Sequence, residues 1–123
     1  MSKQHSPGFL KIVQDARANI AECSVAELKD KLASDPKSVL IDVREESEFA
    51  AGHVPNAVHL SKGILERDIE TRYPDSNTEI YLLCGGGYRS ALAADSLRKM
   101  GYLNVTSVDG GWKAWTDAGY PTV

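Results

Sequence analysis

The residue types with the clearest capacity for chemistry lie in one short segment, residues 84–90, which reads Cys-Gly-Gly-Gly-Tyr-Arg-Ser. A cysteine acts as a nucleophile through its thiolate, and nearby positive charge favours that form over the thiol. The three glycines allow the backbone to curl so that successive N–H groups point at one anion. Arg89 adds a full positive charge close by. This combination favours a nucleophilic Cys84 over the small, inert, buried residue that a free cysteine more often is.

The elements expected on either side of this segment support that interpretation. Residues 80–83 form a short continuous apolar run, typical of a strand that is buried on both faces of a parallel sheet. Residues 89–100 have helical character and are closed by Gly101. Ligands of open α/β sheets gather beyond the carboxyl ends of the strands, where Cys84 would lie. The helix would also present the positive end of its dipole to a thiolate.

The rest of the chain predicts an α/β fold in which strands alternate with helices. A helix is expected over residues 7–19, where apolar residues recur with helical spacing after a Ser-Pro start. The other predicted elements are strands at 20–23, 39–41, 80–83 and 105–108 and helices at 24–34, 45–51, 64–72 and 89–100. Such alternation indicates right-handed crossovers and an open parallel sheet that is covered on both faces. We therefore expect one domain over residues 20–123, with residues 1–19 as a helical extension packed on it.

Composition and charge argue against several classes of function. The chain of 123 residues is 42% hydrophobic and 25% charged, which is ordinary for a folded globular protein. Its formal net charge of -3, without a long basic run, disfavours nucleic acid as a partner. No stretch approaches the roughly 18 apolar residues of a membrane span, so we expect neither a membrane partner nor a signal peptide. Cys23 and Cys84 are not spaced as a disulfide framework or a metal site, which favours a cytoplasmic location and no metal or other cofactor.

Four segments of the chain resemble the rhodanese-like sulfurtransferases, and together they cover roughly residues 20–120. In chain order, they are residues 39–45, 51–57, 84–89 and 109–115. Residues 39–45 resemble the family's strand ending in an Asp-x-Arg pair, here Asp42 and Arg44. Residues 51–57 resemble its Gly-His-x-Pro-Gly-Ala turn, with Asn56 in place of the usual glycine. The Cys84 segment is similar to the family's six-residue loop, which opens with the catalytic cysteine, and residues 109–115 are similar to its closing turn and aromatic helix.

The resemblance implies an α/β fold with an open parallel central sheet of about five strands flanked by helices. It also implies a double-displacement reaction, in which Cys84 takes a sulfane sulfur from thiosulfate or a persulfide and becomes a cysteine persulfide. A nucleophilic acceptor, either cyanide or the thiol of a small molecule or a protein, then removes that sulfur. The loop residues that would bind the substrate and the persulfide are Gly85, Gly86, Gly87, Tyr88, Arg89 and Ser90.

Several residues outside the cysteine itself have a functional and a structural interpretation. By resemblance, Asp42 and Arg44 line or brace the mouth of the site, although charged residues after a strand often only cap the next helix. Arg89 either orients an anionic donor or pairs with a carboxylate at the start of its helix. Cys23 is either a resolving thiol for Cys84 or, as we expect, an inert buried thiol at a strand edge. Trp112 is expected to anchor the core.

Two other functions compete with sulfur transfer. A cysteine phosphatase or arsenate reductase also holds a thiolate among N–H groups, but typically has five residues between cysteine and arginine, whereas four separate Cys84 from Arg89. A sulfur-carrier or binding module would keep the fold with little turnover. Residues 85–87 lack the basic residue that thiosulfate-using relatives often carry, and the net charge is negative. We therefore expect a less highly charged donor, such as an organic or protein persulfide.

Overall fold

A computed structural model describes residues 4–123, so the first three residues of the expected N-terminal extension, 1–19, lie outside the described residues. The strands are β1 (Ala21–Cys23), β2 (Val39–Asp42), β3 (Val58–His59), β4 (Ile80–Leu83) and β5 (Val105–Val108). The helices are α1 (Pro7–Arg17), α2 (Val25–Ser34), α3 (Glu46–Ala51), α4 (Lys62–Arg72), α5 (Tyr88–Lys99) and α6 (Gly111–Asp117). All strand pairs are parallel, in the order β1-β5-β4-β2-β3. The expected α/β fold with a parallel sheet of about five strands is confirmed.

Alternation of side chains along the central strands builds two hydrophobic layers. On one face, Ile41 and Leu82 belong to a buried cluster that includes residues of α4 and α5. On the other face, Leu40 and Leu83 belong to a cluster with α2 and α6. Strands β2 and β4 are therefore covered on both sides, which explains their continuous apolar sequences.

Helix α1 packs on α5 and buries Val13 and Ala16, which are 1% and 3% exposed. These two residues lie on one face of the helix, while Ile12 beside them is half exposed. Pro7 occupies the first turn, where its missing N–H costs no helical hydrogen bond. The periodicity of the N-terminal segment thus corresponds to a helix with one buried face. No helix within residues 4–123 has the length and apolar character needed to cross a bilayer.

The structure differs from the sequence-based expectations at a few short features. Strand β3 was not expected, because two residues are too few to show an alternating pattern. It is defined by pairing with β2, where Ile41 lies beside Val58. Helix α4 starts at Lys62, two residues earlier than expected. Asn56 has a φ of 68°, a left-handed conformation that asparagine tolerates better than most residues, which explains how it replaces glycine in its turn.

Candidate active site

Cys84 lies directly after β4, at the start of the loop that leads into α5. Its side chain is buried, and Sγ accepts hydrogen bonds from the backbone N–H groups of Gly87, at 3.1 Å, and Ser90, at 3.3 Å. Ser90 is the third residue of α5, and its N–H is one of those that a helix leaves without an internal partner. The sulfur therefore occupies the position of a helix-capping acceptor. Amides and the helix dipole at this position stabilise negative charge on sulfur.

Two buried hydroxyl groups extend this arrangement away from the loop. Ser90 Oγ lies 3.4 Å from Cys84 Sγ and 2.8 Å from Ser107 Oγ. Both serines are fully buried, so their hydroxyls depend on each other and on the sulfur for hydrogen bonds. Ser107 was missed from the sequence. Its strand, β5, reads Val-Thr-Ser-Val, and a serine beside a threonine gives no local sign that its hydroxyl is buried next to a cysteine.

The carbonyl groups of the loop are bound by the start of α6. The N–H groups of Trp112 and Lys113 donate to the carbonyls of Cys84, at 2.8 Å, and Gly85, at 3.0 Å. Gly111 allows this approach, because it has a φ of 53° and a Cβ there would collide with the Cys84 carbonyl. With its carbonyls turned toward α6, the loop presents N–H groups to the sulfur.

Arg89 is held by a carboxylate that the sequence did not single out. Its guanidinium donates to both oxygens of Glu48 on α3, at 2.9 and 3.1 Å. These hydrogen bonds, opposed by partial burial, lower the pKa of Glu48 from 4.5 to about 2. The guanidinium also lies over Gly85, where an added Cβ would be 3.0 Å from Nη2. The structure therefore shows the pairing with a carboxylate, but the partner belongs to α3 rather than to the start of the arginine's own helix.

Asp42 and Arg44 form a buried ion pair beside the loop. The guanidinium of Arg44 donates to Asp42 at 2.8 Å and to the carbonyl of Gly52 at 2.7 Å. It also lies 4.6 Å from the centre of the Trp112 ring. Neither residue lines the cleft that contains Cys84. Two roles were expected for this pair, lining the mouth of the site or bracing it. Its contacts favour bracing, because they support the beginning of α6.

Cys84 lies at the base of a cleft of about 1110 Å³. Outside the loop, the cleft is lined by residues of the N-terminal segment, of α3 and of the region around α6: His5, Phe9, Glu48, Gly110, Lys113, Ala114 and Asp117. Two ion pairs lie in this lining: Lys113 with Asp117, at 2.8 Å, and Arg89 with Glu48, at 2.9 Å. The cleft therefore carries two cations and two anions that neutralise each other. Within residues 4–123 no group of three or more His, Cys, Asp or Glu side chains could hold a metal ion.

The sulfur of Cys84 is held by amides at a helix N-terminus, beyond the carboxyl end of a parallel strand, which is the kind of position where α/β folds bind ligands. The family of the protein follows from sequence comparison. The chain belongs to the Rhodanese-like domain family, whose model matches residues 24–118. The expected membership of this family of sulfurtransferases and sulfur carriers is confirmed.

Individual relatives differ in length and in described role. The putative sulfurtransferase YtwF of Bacillus subtilis is 40% identical over 78% of this chain and 90% of its own length. The putative sulfur carrier protein YrkF of the same organism is 35% identical over 80% of this chain, which spans only 52% of that relative. Among solved structures, the protein of unknown function RPA3614 from Rhodopseudomonas palustris, a possible tyrosine phosphatase, has a TM-score of 0.86, 28% identity and 98% coverage of both chains.

Proposed function

We propose that the protein is a sulfurtransferase that carries sulfane sulfur as a persulfide on Cys84. The observation that carries this proposal is the sulfur's position, with two backbone N–H donors within 3.3 Å. In the first step the thiolate attacks the sulfane sulfur of a donor. The new Sγ–S bond forms as the donor's S–S bond breaks, and the leaving group departs with the electron pair as a thiolate, or as sulfite if the donor is thiosulfate.

The second step returns the cysteine to its starting state. An acceptor, such as cyanide or a thiolate, attacks the outer sulfur, and Cys84 leaves as the thiolate. The loop supports both steps, because the N–H groups of Gly85, Gly86, Tyr88 and Arg89 have no acceptor among residues 4–123. They are available to the negative outer sulfur of a persulfide. The form of a cysteine that attacks is the thiolate, so the attack itself involves no separate general base.

The charges of the cleft support a donor that is not a dianion. Arg89 is neutralised by Glu48, and Lys113 by Asp117, so neither cation attracts thiosulfate without competition. We therefore propose an organic persulfide as the preferred donor. Both cysteines are free thiols, which is compatible with the reducing cytoplasm.

Intact-mass analysis tests the assignment directly. The protein is incubated with thiosulfate or with glutathione persulfide, and we expect a gain of one sulfur atom that cyanide removes. The gain should be absent in Cys84→Ser and retained in Cys23→Ser, which serves as the matched control. If no donor adds sulfur, the protein does not transfer sulfur through Cys84. Turnover of an aryl phosphate by the wild type, lost in Cys84→Ser, would instead support a phosphatase.

A further inference from the structure

Helix α1 precedes the segment that matches the family model, yet it supplies one side of the cysteine cleft. His5, just before the helix, places its ring centroid 4.4 Å from that of Tyr88 in the loop. Phe9, in the first turns of the helix, lies 5.2 Å from His5 and 6.1 Å from Tyr88. Three aromatic rings thus form one continuous surface, which we call the aromatic wall.

The aromatic wall is fixed to the domain at the other end of α1. The guanidinium carbon of Arg17 lies 5.0 Å from the centre of the Tyr88 ring, within cation–π range. One of its nitrogens lies 3.5 Å from the carbonyl of Gly87, and another pairs with Glu22 at 3.4 Å. Val13 and Ala16 are buried between these contacts. Helix α1 is therefore in direct contact with the loop. We propose that it is an extension packed on the domain of residues 20–123.

We infer that the aromatic wall binds the organic part of a low-molecular-weight persulfide and makes the protein select such donors over thiosulfate. This inference rests on the proposed function and names its donor class. Cys84 is 1% exposed at the base of the cleft, so the donor must reach its sulfur with a narrow end. The cleft volume, about 1110 Å³, slightly exceeds the roughly 300–1,000 Å³ of most small-molecule sites, so an organic donor has room to bind. The faces of aromatic rings bind methylene and peptide groups well, whereas their negative π faces do not attract an inorganic dianion.

The charged residues around the wall indicate which organic group fits. Glu48 on α3 pairs with Arg89 on α5, and Lys113 pairs with Asp117 within α6. A zwitterionic, peptide-like thiol has charges of both signs that these two pairs can complement. The transfer is balanced: the thiolate of Cys84 and R–S–SH give the Cys84 persulfide and R–S⁻. The bond between Sγ and the outer sulfur of the donor forms as the S–S bond of the donor breaks. The proton stays on the transferred sulfur or leaves to solvent.

The first test compares donors. The double variant His5→Ala/Phe9→Ala is measured with glutathione persulfide and with thiosulfate. We expect kcat/KM for glutathione persulfide to fall about tenfold, since each lost aromatic contact is worth a few-fold in affinity, and kcat/KM for thiosulfate to stay within about twofold. Ile12→Ala, on the exposed side of the same helix, is the control and should change neither value. Equal losses with both donors, or no loss with either, would overturn the inference.

A further readout does not require sulfur transfer. Alkylation of Cys84 by the bicyclic reagent monobromobimane is compared with alkylation by iodoacetamide. We expect the bimane-to-iodoacetamide rate ratio to fall about fivefold in the double variant and to stay constant in Ile12→Ala. If the wild type gains no sulfur from any donor but this ratio falls, the proposed function fails while the aromatic wall stands as an organic-ligand subsite. If only transfer from a protein persulfide is impaired, the wall serves a protein partner and the inference is wrong.

Discussion

The two cysteines of the chain occupy similar places in the fold and have opposite surroundings. Cys23 ends β1 and precedes α2, as Cys84 follows β4 and precedes α5. At α2, however, the helix N-terminus is satisfied without the cysteine. Ser24 Oγ accepts the N–H of Glu27 at 3.1 Å, and the Glu27 carboxylate accepts the N–H of Ser24 at 2.9 Å. At α5 no such capping box exists, and the N–H of Ser90 donates to the cysteine sulfur.

The charges near each thiol strengthen the difference. Burial, together with the carboxylates of Glu27 and Glu22, raises the pKa of Cys23 to about 11. Cys84 instead has a cation nearby: the pKa of Arg89 is raised chiefly by its hydrogen bonds to Glu48, and the sulfur of Cys84 contributes to the same shift. A strand end before a helix is therefore not sufficient for a reactive thiol. What matters is which side chain accepts the helix N–H groups, and which charges lie beside the sulfur.

Replacement of each thiol by serine is expected to give the largest effect. Cys84→Ser should reduce sulfur transfer by at least about a thousandfold, the scale seen when a catalytic nucleophile is removed, while Cys23→Ser should stay within about twofold. Steady-state assays with glutathione persulfide measure both. At pH 8 a thiol of pKa about 11 is thiolate in roughly one molecule in a thousand, so iodoacetamide should modify Cys84 first. Faster modification of Cys23, found by peptide mapping, would reverse the assignment.

The next largest effect is expected where α6 meets the loop. Gly111→Ala places a methyl group against the Cys84 carbonyl and also strains a left-handed residue, so we expect the free energy of unfolding to fall by about 2–3 kcal/mol. Transfer activity should fall with it. Gly119→Ala is the matched control, because that residue has a φ of 74° with nothing within 4 Å of an added Cβ. Equal losses in the two variants, by urea unfolding, would mean that strain alone accounts for the effect.

A smaller effect is expected from the buried hydroxyls. Ser107→Ala leaves the hydroxyl of Ser90 without its 2.8 Å partner, so the hydrogen bond toward Cys84 loses its orientation. We expect Cys84 alkylation by iodoacetamide to slow about three- to tenfold, equivalent to one modest hydrogen bond. Thr106→Ala, the preceding residue of β5, is the control and should leave the rate unchanged. An unaltered rate in Ser107→Ala would show that Ser90 is oriented by the loop alone.

The smallest effect concerns the Glu48–Arg89 pair. The pKa of Glu48 is lowered from 4.5 to about 2 in the folded protein, so its contribution to stability is complete above about pH 4.5 and is lost as the pH falls toward 2. Since the Glu48 side chain is 38% exposed, solvent screens the pair and we expect only about 0.2–1 kcal/mol. The difference in unfolding free energy between wild type and Glu48→Gln should vanish near pH 2. If the two proteins still differ in unfolding free energy near pH 2, the difference comes from packing and not from the ion pair.

The sequence was sufficient for the elements that long or distinctive patterns define. The apolar run of β4, the three glycines and the helix after them placed Cys84 at a strand end from local information alone. Glu48 and Ser107 could not be found in that way. Glu48 lies 41 residues from Arg89, and Ser107 lies 17 residues from Ser90, so each partnership exists only after the chain has folded. The same holds for the Asp42–Arg44 pair, whose buried contact with Trp112 depends on how α6 packs.

The hydrogen bonds from α6 to the loop carbonyls also determine when the loop loses its freedom. Glycine has more backbone conformational entropy in the unfolded chain than any other residue type, and this loop contains three glycines in a row. Because Trp112 and Lys113 bind the carbonyls of Cys84 and Gly85, part of that entropy is lost during folding and not when sulfur arrives. The resting site is therefore already ordered for its anion. Exchange of the Trp112 and Lys113 amide hydrogens with deuterium consequently reports each opening of the loop, whether or not a substrate is present.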